Sequence, residues 1–284
     1  MHAIGRYLDL IKFEHTIFAM PFAVISLLVA TGGRPSVPLL FWVLVAMVGA
    51  RTAAMAFNRL VDRRLDGANP RTAERHLPAG TVPVAGAAAL VIAGAALLVV
   101  AAARLNPLCL KLSPLALVVV LGYSYLKRVT PMAHLGLGLG LAIAPVGAWL
   151  AATGEFAPFP LWLGAGVMFW VAGFDTIYGI QDAEYDRQAG LHSLAARWGV
   201  GRALSLSRIF HVLSVALVAG AFRRTELLGM VSLFGVVVMA GLLAWEQAIV
   251  RGGDMQRIDK AFFQINSWIG MVLLAVVAAD LYLV

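Results

Sequence analysis

Residues 51–80 read RTAAMAFNRLVDRRLDGANPRTAERHLPAG. The run opens on Arg51, sets Asn58, Asp62 and Asp66 four residues apart at the end of an apolar segment, and passes into a loop rich in arginine. Residues 174–193, FDTIYGIQDAEYDRQAGLHS, answer it with Asp175, Asp182 and Asp186. Seven of the 15 acidic residues fall in these two places: Asp62, Asp66, Glu74, Asp175, Asp182, Glu184 and Asp186. In a chain this apolar, such clustering needs a cause.

The surroundings of the two stretches define the class. The chain has 284 residues, 61% hydrophobic and 13% charged. Runs such as VPVAGAAALVIAGAALLVVAAA, residues 82–103, are too long and apolar for a soluble fold to leave exposed, so this is an integral membrane protein. The formal charge of +7 does not point to nucleic acid, because the basic residues sit in short loops between apolar segments. Cys109 is the single cysteine and forms no internal disulfide. The N-terminus has acidic residues ahead of its apolar run and reads as a first membrane helix, not a signal peptide.

Nine segments are long enough to span a bilayer: 11–31, 37–58, 82–103, 107–126, 131–153, 158–181, 203–221, 226–250 and 261–283. Pro38, Pro83, Pro107, Pro131 and Pro158 mark helix starts, and short connections make neighbours antiparallel. The expected fold is all-α, one nine-helix transmembrane bundle over residues 1–284. With the N-terminus cytoplasmic, 15 of the 22 Lys and Arg residues fall on the cytoplasmic side, Arg257 and Lys260 among them, against five on the other. That asymmetry favours this orientation and sets both acidic stretches on the cytoplasmic face. A shift of 124 residues superposes Arg51 on Asp175, Asn58 on Asp182, Asp62 on Asp186 and Lys127 on Arg251, a weak internal repeat.

The chemistry follows from the side chains. On a helix, positions i, i+4 and i+8 lie within about 80° of one another, so Asn58, Asp62 and Asp66 share a face, as do Asp182 and Asp186. Carboxylates without His or Cys favour a hard cation such as Mg²⁺, whose shell water and phosphate complete. Arg63, Arg64, Arg71, Arg75, Lys127 and Arg128 around them suit phosphate oxygens, which points to a diphosphate. One D-x-x-x-D alone would be an ordinary solvated ion-pair mesh. Two, each ending an apolar helix on the same side, argue for function. Arg51 and Asp175 each lie seven residues before their motif, about 10 Å deeper. Arg51 can grip an anionic group on a second substrate and Asp175 can accept a proton or hydrogen bond; the alternative is an Arg51–Asp175 salt bridge between two helices.

These residues resemble the intramembrane aromatic prenyltransferases of the UbiA type. The family's N-D-x-x-D-x-x-x-D and D-x-x-x-D signatures correspond to residues 58–66, NRLVDRRLD, and 182–186, DAEYD. PRTAERHLPAG, YSYLKR and HSLAARWG are similar to the family as well, and the resemblance covers essentially the whole chain. Arg59 departs from it, standing where the family usually has Asp. That variant, with LIKFEHTIFAMPFA and FDTIYGIQDAEYD, looks most like a branch prenylating 1,4-dihydroxy-6-naphthoate for menaquinone; 4-hydroxybenzoate, for ubiquinone, is the other acceptor implied.

The resemblance implies a multi-pass protein of the bacterial inner membrane whose active site faces the cytoplasm. Mg²⁺ would be held by Asn58, Asp62, Asp66, Asp182 and Asp186, with Arg75 and Lys127 gripping the diphosphate of a polyprenyl donor. The partners implied are that donor, an aromatic acid acceptor and the lipid bilayer. Asp175 is the candidate for polarising a ring hydroxyl or taking up the proton released afterwards, and Tyr178 for stabilising an allylic cation. His15, His134 and His211 read as hydrogen-bonded within the bundle; His76 and His192 lie near enough to the motifs to touch phosphate. The run GLGLGLAIAP from Gly136 reads as close helix packing. A membrane cation transporter using the paired carboxylates is the competing reading. A CDP-alcohol phosphotransferase would need a D-G-x-x-A-R core, which residues 66–71, DGANPR, do not supply.

Overall fold

The computed structural model describes residues 3–12, 16–251, 258 and 261–283; His15, Arg257 and Lys260 lie outside them. The described regular structure is helical: α1 (Ala3–Leu10), α2 (Thr16–Ala30), α3 (Val37–Ala68), α4 (Val84–Leu105), α5 (Pro107–Leu126), α6 (Ala133–Thr153) and α7 (Pro158–Gly179) come first. A 3₁₀ turn (Ile180–Asp182), α8 (Ala183–Gln188), α9 (Leu194–Trp198), α10 (Val200–Phe222), α11 (Met230–Ile249), a π-helical turn (Ala261–Ile265) and α12 (Asn266–Leu283) complete it. Within a bilayer every backbone N–H and C=O must be satisfied by its own segment, and helices do this.

Eight helices among the described residues are long and apolar enough to cross a membrane. The remaining expected span corresponds to α2, whose 15 residues are fewer than the roughly 20 a perpendicular crossing needs. Segment 11–31 is not one helix, since α1 ends at Leu10 and α2 begins at Thr16. Segment 37–58 runs ten residues further, to Ala68, because nothing in RLVDRRLD breaks a helix before Gly67 and Pro70. Ser36 caps its start by accepting from Leu39 N, and the Asn69 N–H closes its end on Leu65 O.

Small residues let the helices approach. A Cβ on Gly49 would lie 2.8 Å from Gly94 O, and one on Gly94 would lie 2.7 Å from Gly49 O, so α3 and α4 meet backbone to backbone. Gly138 seats α6 on α7 in the same way, where a Cβ would reach 2.2 Å from Met168 O. Ser214 Oγ donates to Gly166 O at 2.8 Å and Ser207 Oγ to Gly173 O at 2.9 Å, joining α10 to α7. Asp280 of α12 accepts from Gly229 N and Ser232 N at 2.9 and 2.8 Å and so caps the N-terminus of α11.

The 124-residue offset also describes helix positions. Residues 107–126 shift onto 231–250, where α11 occupies Met230–Ile249, and residues 37–68 shift onto 161–192, covered mostly by α7 and α8. α3 packs extensively on α4 and α7 on α10. The two acidic stretches thereby reach the same end of the bundle from opposite halves.

Candidate active site

Four helix ends and one loop build the site. The last turns of α3 supply Asn58, Asp62 and Asp66, the end of α5 supplies Lys127 and Arg128, and α7 with its 3₁₀ extension and α8 supplies Asp175, Tyr178, Asp182 and Asp186. The loop after α3 folds back to add Arg71 and Arg75. They surround a cavity of about 310 Å³. Seven cationic side chains line it (Lys12, Arg51, Arg59, Arg71, Arg75, Lys127 and Arg128) against five carboxylates (Asp62, Asp66, Asp175, Asp182 and Asp186). The excess is positive, which favours a polyanionic ligand.

Each motif carboxylate has a cation. Arg128 Nη2 meets Asp62 Oδ1 at 2.8 Å, while Asn58 Nδ2 donates to Asp62 Oδ2 at 3.0 Å. Arg75 Nη1 meets Asp66 Oδ1 at 2.7 Å. Arg71 grips Asp182 with two N–H groups, Nε to Oδ1 at 2.8 Å and Nη2 to Oδ2 at 2.5 Å, and Asn69 Nδ2 adds a third bond at 2.8 Å. Lys127 Nζ lies 2.8 Å from Asp186 Oδ1, an ion-pair contact without hydrogen-bond geometry. Burial alone would lower the Arg71 pKa, but the hydrogen bonds and charge of Asp182 outweigh it and hold the guanidinium above its ordinary value.

Oxygen capacity remains. Asp66 Oδ2 and both oxygens of Asp186 are buried without a hydrogen bond. Among the described residues, no three acidic, His or Cys side chains converge on one point as the site stands, since arginine and lysine are interposed. Oxygen donors with spare lone pairs nevertheless fit a hard divalent cation.

Of the expected diphosphate partners, Arg71, Arg75, Lys127 and Arg128 line the cavity and Arg63 does not. Arg63 is exposed, because one residue past Asp62 is a rotation of about 100° around α3, away from the carboxylate face. Arg59 turns inward: it is 8% exposed, donates from Nε to Leu10 O at 3.4 Å, and has Nη1 3.9 Å from Asp66 Oδ2. Tyr178 accepts a hydrogen bond from Arg71 Nη1 at 3.0 Å, and the same guanidinium lies 5.2 Å from its ring centroid. One cation is therefore already at the ring.

Of the deeper pair, Asp175 hydrogen-bonds His134, Nδ1 to Oδ2 at 2.6 Å. Sequence gave no hint of this contact, because 41 residues separate the two. Tyr123, from YSYLKR, stands among the charges of Arg51, Arg59, Asp175 and Asp62. His76 is held outside the cavity by Asp9 Oδ2 at 2.9 Å and Thr81 Oγ1 at 2.7 Å, fastening α1 to the arginine loop. The hydrogen bond from Lys12 keeps the Asp9 carboxyl below its ordinary value despite partial burial. His211 hydrogen-bonds Gln247 inside the bundle, as expected, and His192 engages Lys127 O through its backbone N–H at 2.8 Å.

Beneath the polar cavity lies a larger one of about 580 Å³, lined almost wholly by apolar side chains, most of them from α3, α5, α6 and α7 with a few from α2 and α4. The two share Arg51, Tyr123, Leu137 and Leu141 as lining. In the glycine run of α6, Gly136 and Gly138 pack closely, while a Cβ on Gly140 would meet nothing within 4 Å because it faces this groove.

Comparison with known proteins places the chain. The model of the UbiA prenyltransferase family matches residues 19–268. The 4-hydroxybenzoate octaprenyltransferase of Vibrio parahaemolyticus is 30% identical over 249 residues, 87% of this chain and 86% of that protein. That of Shewanella woodyi is 27% identical over 283 residues, covering 98% and 97%. The apo structure of a UbiA homolog from Aeropyrum pernix K1 superposes with a TM-score of 0.85 at 36% identity, covering 94% of this chain and 98% of that one. A UbiA homolog from Archaeoglobus fulgidus bound to GPP and Mg²⁺ shares the fold, with a TM-score of 0.73 at 21% identity over 96% and 99% of the two chains.

Proposed function

The chain belongs to the UbiA prenyltransferase family, and on that premise we propose that it transfers a polyprenyl group from a polyprenyl diphosphate to a hydroxylated aromatic acid. One observation carries the reading. A cavity lined by two D-x-x-x-D motifs and their basic partners adjoins, through Arg51 and Tyr123, an apolar groove about 580 Å³ in volume. A diphosphate head suits the first and an isoprenoid tail the second. Each buried methylene favours the groove by about 0.8 kcal/mol relative to water. A cation transporter would need a polar path onward, and the lining of the groove supplies almost none.

Asn58, Asp62, Asp66, Asp182 and Asp186 would hold the metal, a reading supported by the unpaired oxygens of Asp66 and Asp186. Bound there, Mg²⁺ would neutralise the diphosphate and favour ionisation of its bond to the allylic carbon. Arg71, Arg75, Lys127 and Arg128, now engaged with the carboxylates, would exchange those contacts for phosphate oxygens, which are equally charged acceptors. Arg63, turned to solvent, has no part in this. Arg51, at the junction of head site and groove, would bind the acceptor's carboxylate. The apolar walls would disfavour water at the allylic centre and leave the ring as the nucleophile at hand.

For the acceptor, the relatives' activity supports 4-hydroxybenzoate over the 1,4-dihydroxy-6-naphthoate favoured by the branch resemblance. Both rings present a carboxylate to Arg51. The site would open to the cytoplasm, on the side bearing most of the positive charge.

The test is a membrane assay with Mg²⁺, a polyprenyl diphosphate and each acid in turn, read by the mass of the product. Prenylated benzoate is the expected result, and prenylated naphthoate alone would transfer the assignment to that ring. Asp62→Ala and Asp182→Ala should each abolish Mg²⁺-dependent diphosphate release while the protein still purifies as a folded species. Full activity in either would overturn the metal assignment.

A further inference from the structure

His134 is the second residue of α6, 7% exposed, and stands on the wall of the polar cavity. Its Nδ1 lies 2.6 Å from Asp175 Oδ2. An ionised carboxylate only accepts, so this contact assigns the proton to Nδ1 and leaves the lone pair of a neutral ring on Nε2. Among the described residues no hydrogen bond reaches Nε2. On its other side the ring rests against Gly179 of α7, where a Cβ would lie 3.0 Å from Cε1 and 3.7 Å from Nε2. The glycine leaves that edge of the imidazole uncrowded. Arg51 and Tyr123 line the same cavity. An imidazole fixed in one tautomer by a carboxylate, on the wall of a cavity that would hold substrate and with no hydrogen bond to its second nitrogen among the described residues, is the arrangement of a general base and its orienting carboxylate.

We propose that His134 is the base of the reaction and that Asp175 is its positioning residue, holding the imidazole in the tautomer that presents Nε2 to the acceptor's phenolic hydroxyl. The inference rests on the prenyltransferase reading and reassigns the proton from Asp175 to His134. The phenolic proton passes to Nε2, which raises the electron density of the ring. A ring carbon bonds to the allylic carbon of the donor as its carbon–oxygen bond breaks and diphosphate departs with the electron pair. The ring carbon then loses its own proton to solvent or diphosphate, restoring aromaticity as a phenolate. The imidazolium returns its proton to that oxygen, so the net release is one proton and one diphosphate.

Two substitutions separate this role from packing. Asparagine at 134 keeps a donor to Asp175 in the place of Nδ1 but has nothing in the place of Nε2. Asp175→Asn offers the ring an N–H donor and so favours the opposite tautomer. For each, kcat and acceptor KM would be measured over 4-hydroxybenzoates of graded phenol acidity, fluorinated ones included, alongside diphosphate release without acceptor. We expect His134→Asn to lower kcat for the parent acid about 100-fold, in the range of a lost general base, with a much smaller change in KM. The deficit should shrink as the phenol becomes acidic enough to arrive ionised, and Asp175→Asn should show the same trend. Wild-type kcat in His134→Asn, or an equal loss for every acceptor in both variants, would overturn the proposal and leave His134 a packing contact. If His134→Asn does not fold, the acidity series on Asp175→Asn decides alone. Failure of the prenyltransferase reading is visible separately, as wild-type enzyme that prenylates none of the acids.

Discussion

Arg71 shows how much one side chain does at this site. Its guanidinium makes two hydrogen bonds to Asp182, one to Tyr178, and lies over the Tyr178 ring. The planar fork matches the Asp182 carboxylate and would match a phosphate edge equally, and an ammonium group cannot reproduce either pairing. Arg71→Lys should therefore raise the KM for the polyprenyl diphosphate by about 10- to 100-fold, the equivalent of one or two charge-assisted hydrogen bonds, with a smaller fall in kcat. Steady-state kinetics at saturating acceptor would check it, and an unchanged KM would remove Arg71 from the diphosphate site. The value of Arg71 was legible in PRTAER, since a cluster of arginines beside carboxylates suggests phosphate. Its partner was not, because 111 residues separate it from Asp182 and no local pattern records the meeting.

At the scale of elements, glycine contacts set helix spacing. A Cβ on Gly94 would lie 2.6 Å from Ala53 N and 2.7 Å from Gly49 O, and backbone atoms cannot rotate aside. Gly94→Ala should force α3 from α4 and destabilise the protein by about 1–3 kcal/mol, read as a lower melting temperature in detergent. Gly122→Ala serves as the control, with nothing within 4 Å of its Cβ, and should be neutral or slightly stabilising through helix propensity. Equal effects of the two would sink the packing argument. The sequence marked both residues only as glycines in apolar helices. Which of them faces a neighbour is a matter of rotation and register between helices, and small residues alone do not specify that.

Across the whole molecule, the two halves deliver their acidic motifs to one end of the bundle, and helix packing leaves an apolar groove behind them. Gly140 is open to that groove. Gly140→Phe should fill it without disturbing the carboxylates, raising the KM for long-chain donors severalfold while geranyl diphosphate is little affected. Equal effects on both donors would place the tail elsewhere. The class, the approximate spans, the two motifs and their family resemblance were settled by the chain itself, because hydrophobic length and i, i+4 spacing are local properties. The tertiary structure alone decided that Arg63 points to solvent while Arg59 turns inward, that each motif carboxylate is matched by its own cation, that His134 meets Asp175, and that a groove adjoins the site. Those outcomes depend on how helices distant in sequence rotate and pack against one another, and an apolar face looks the same in sequence whether it meets a helix, a lipid or an empty groove.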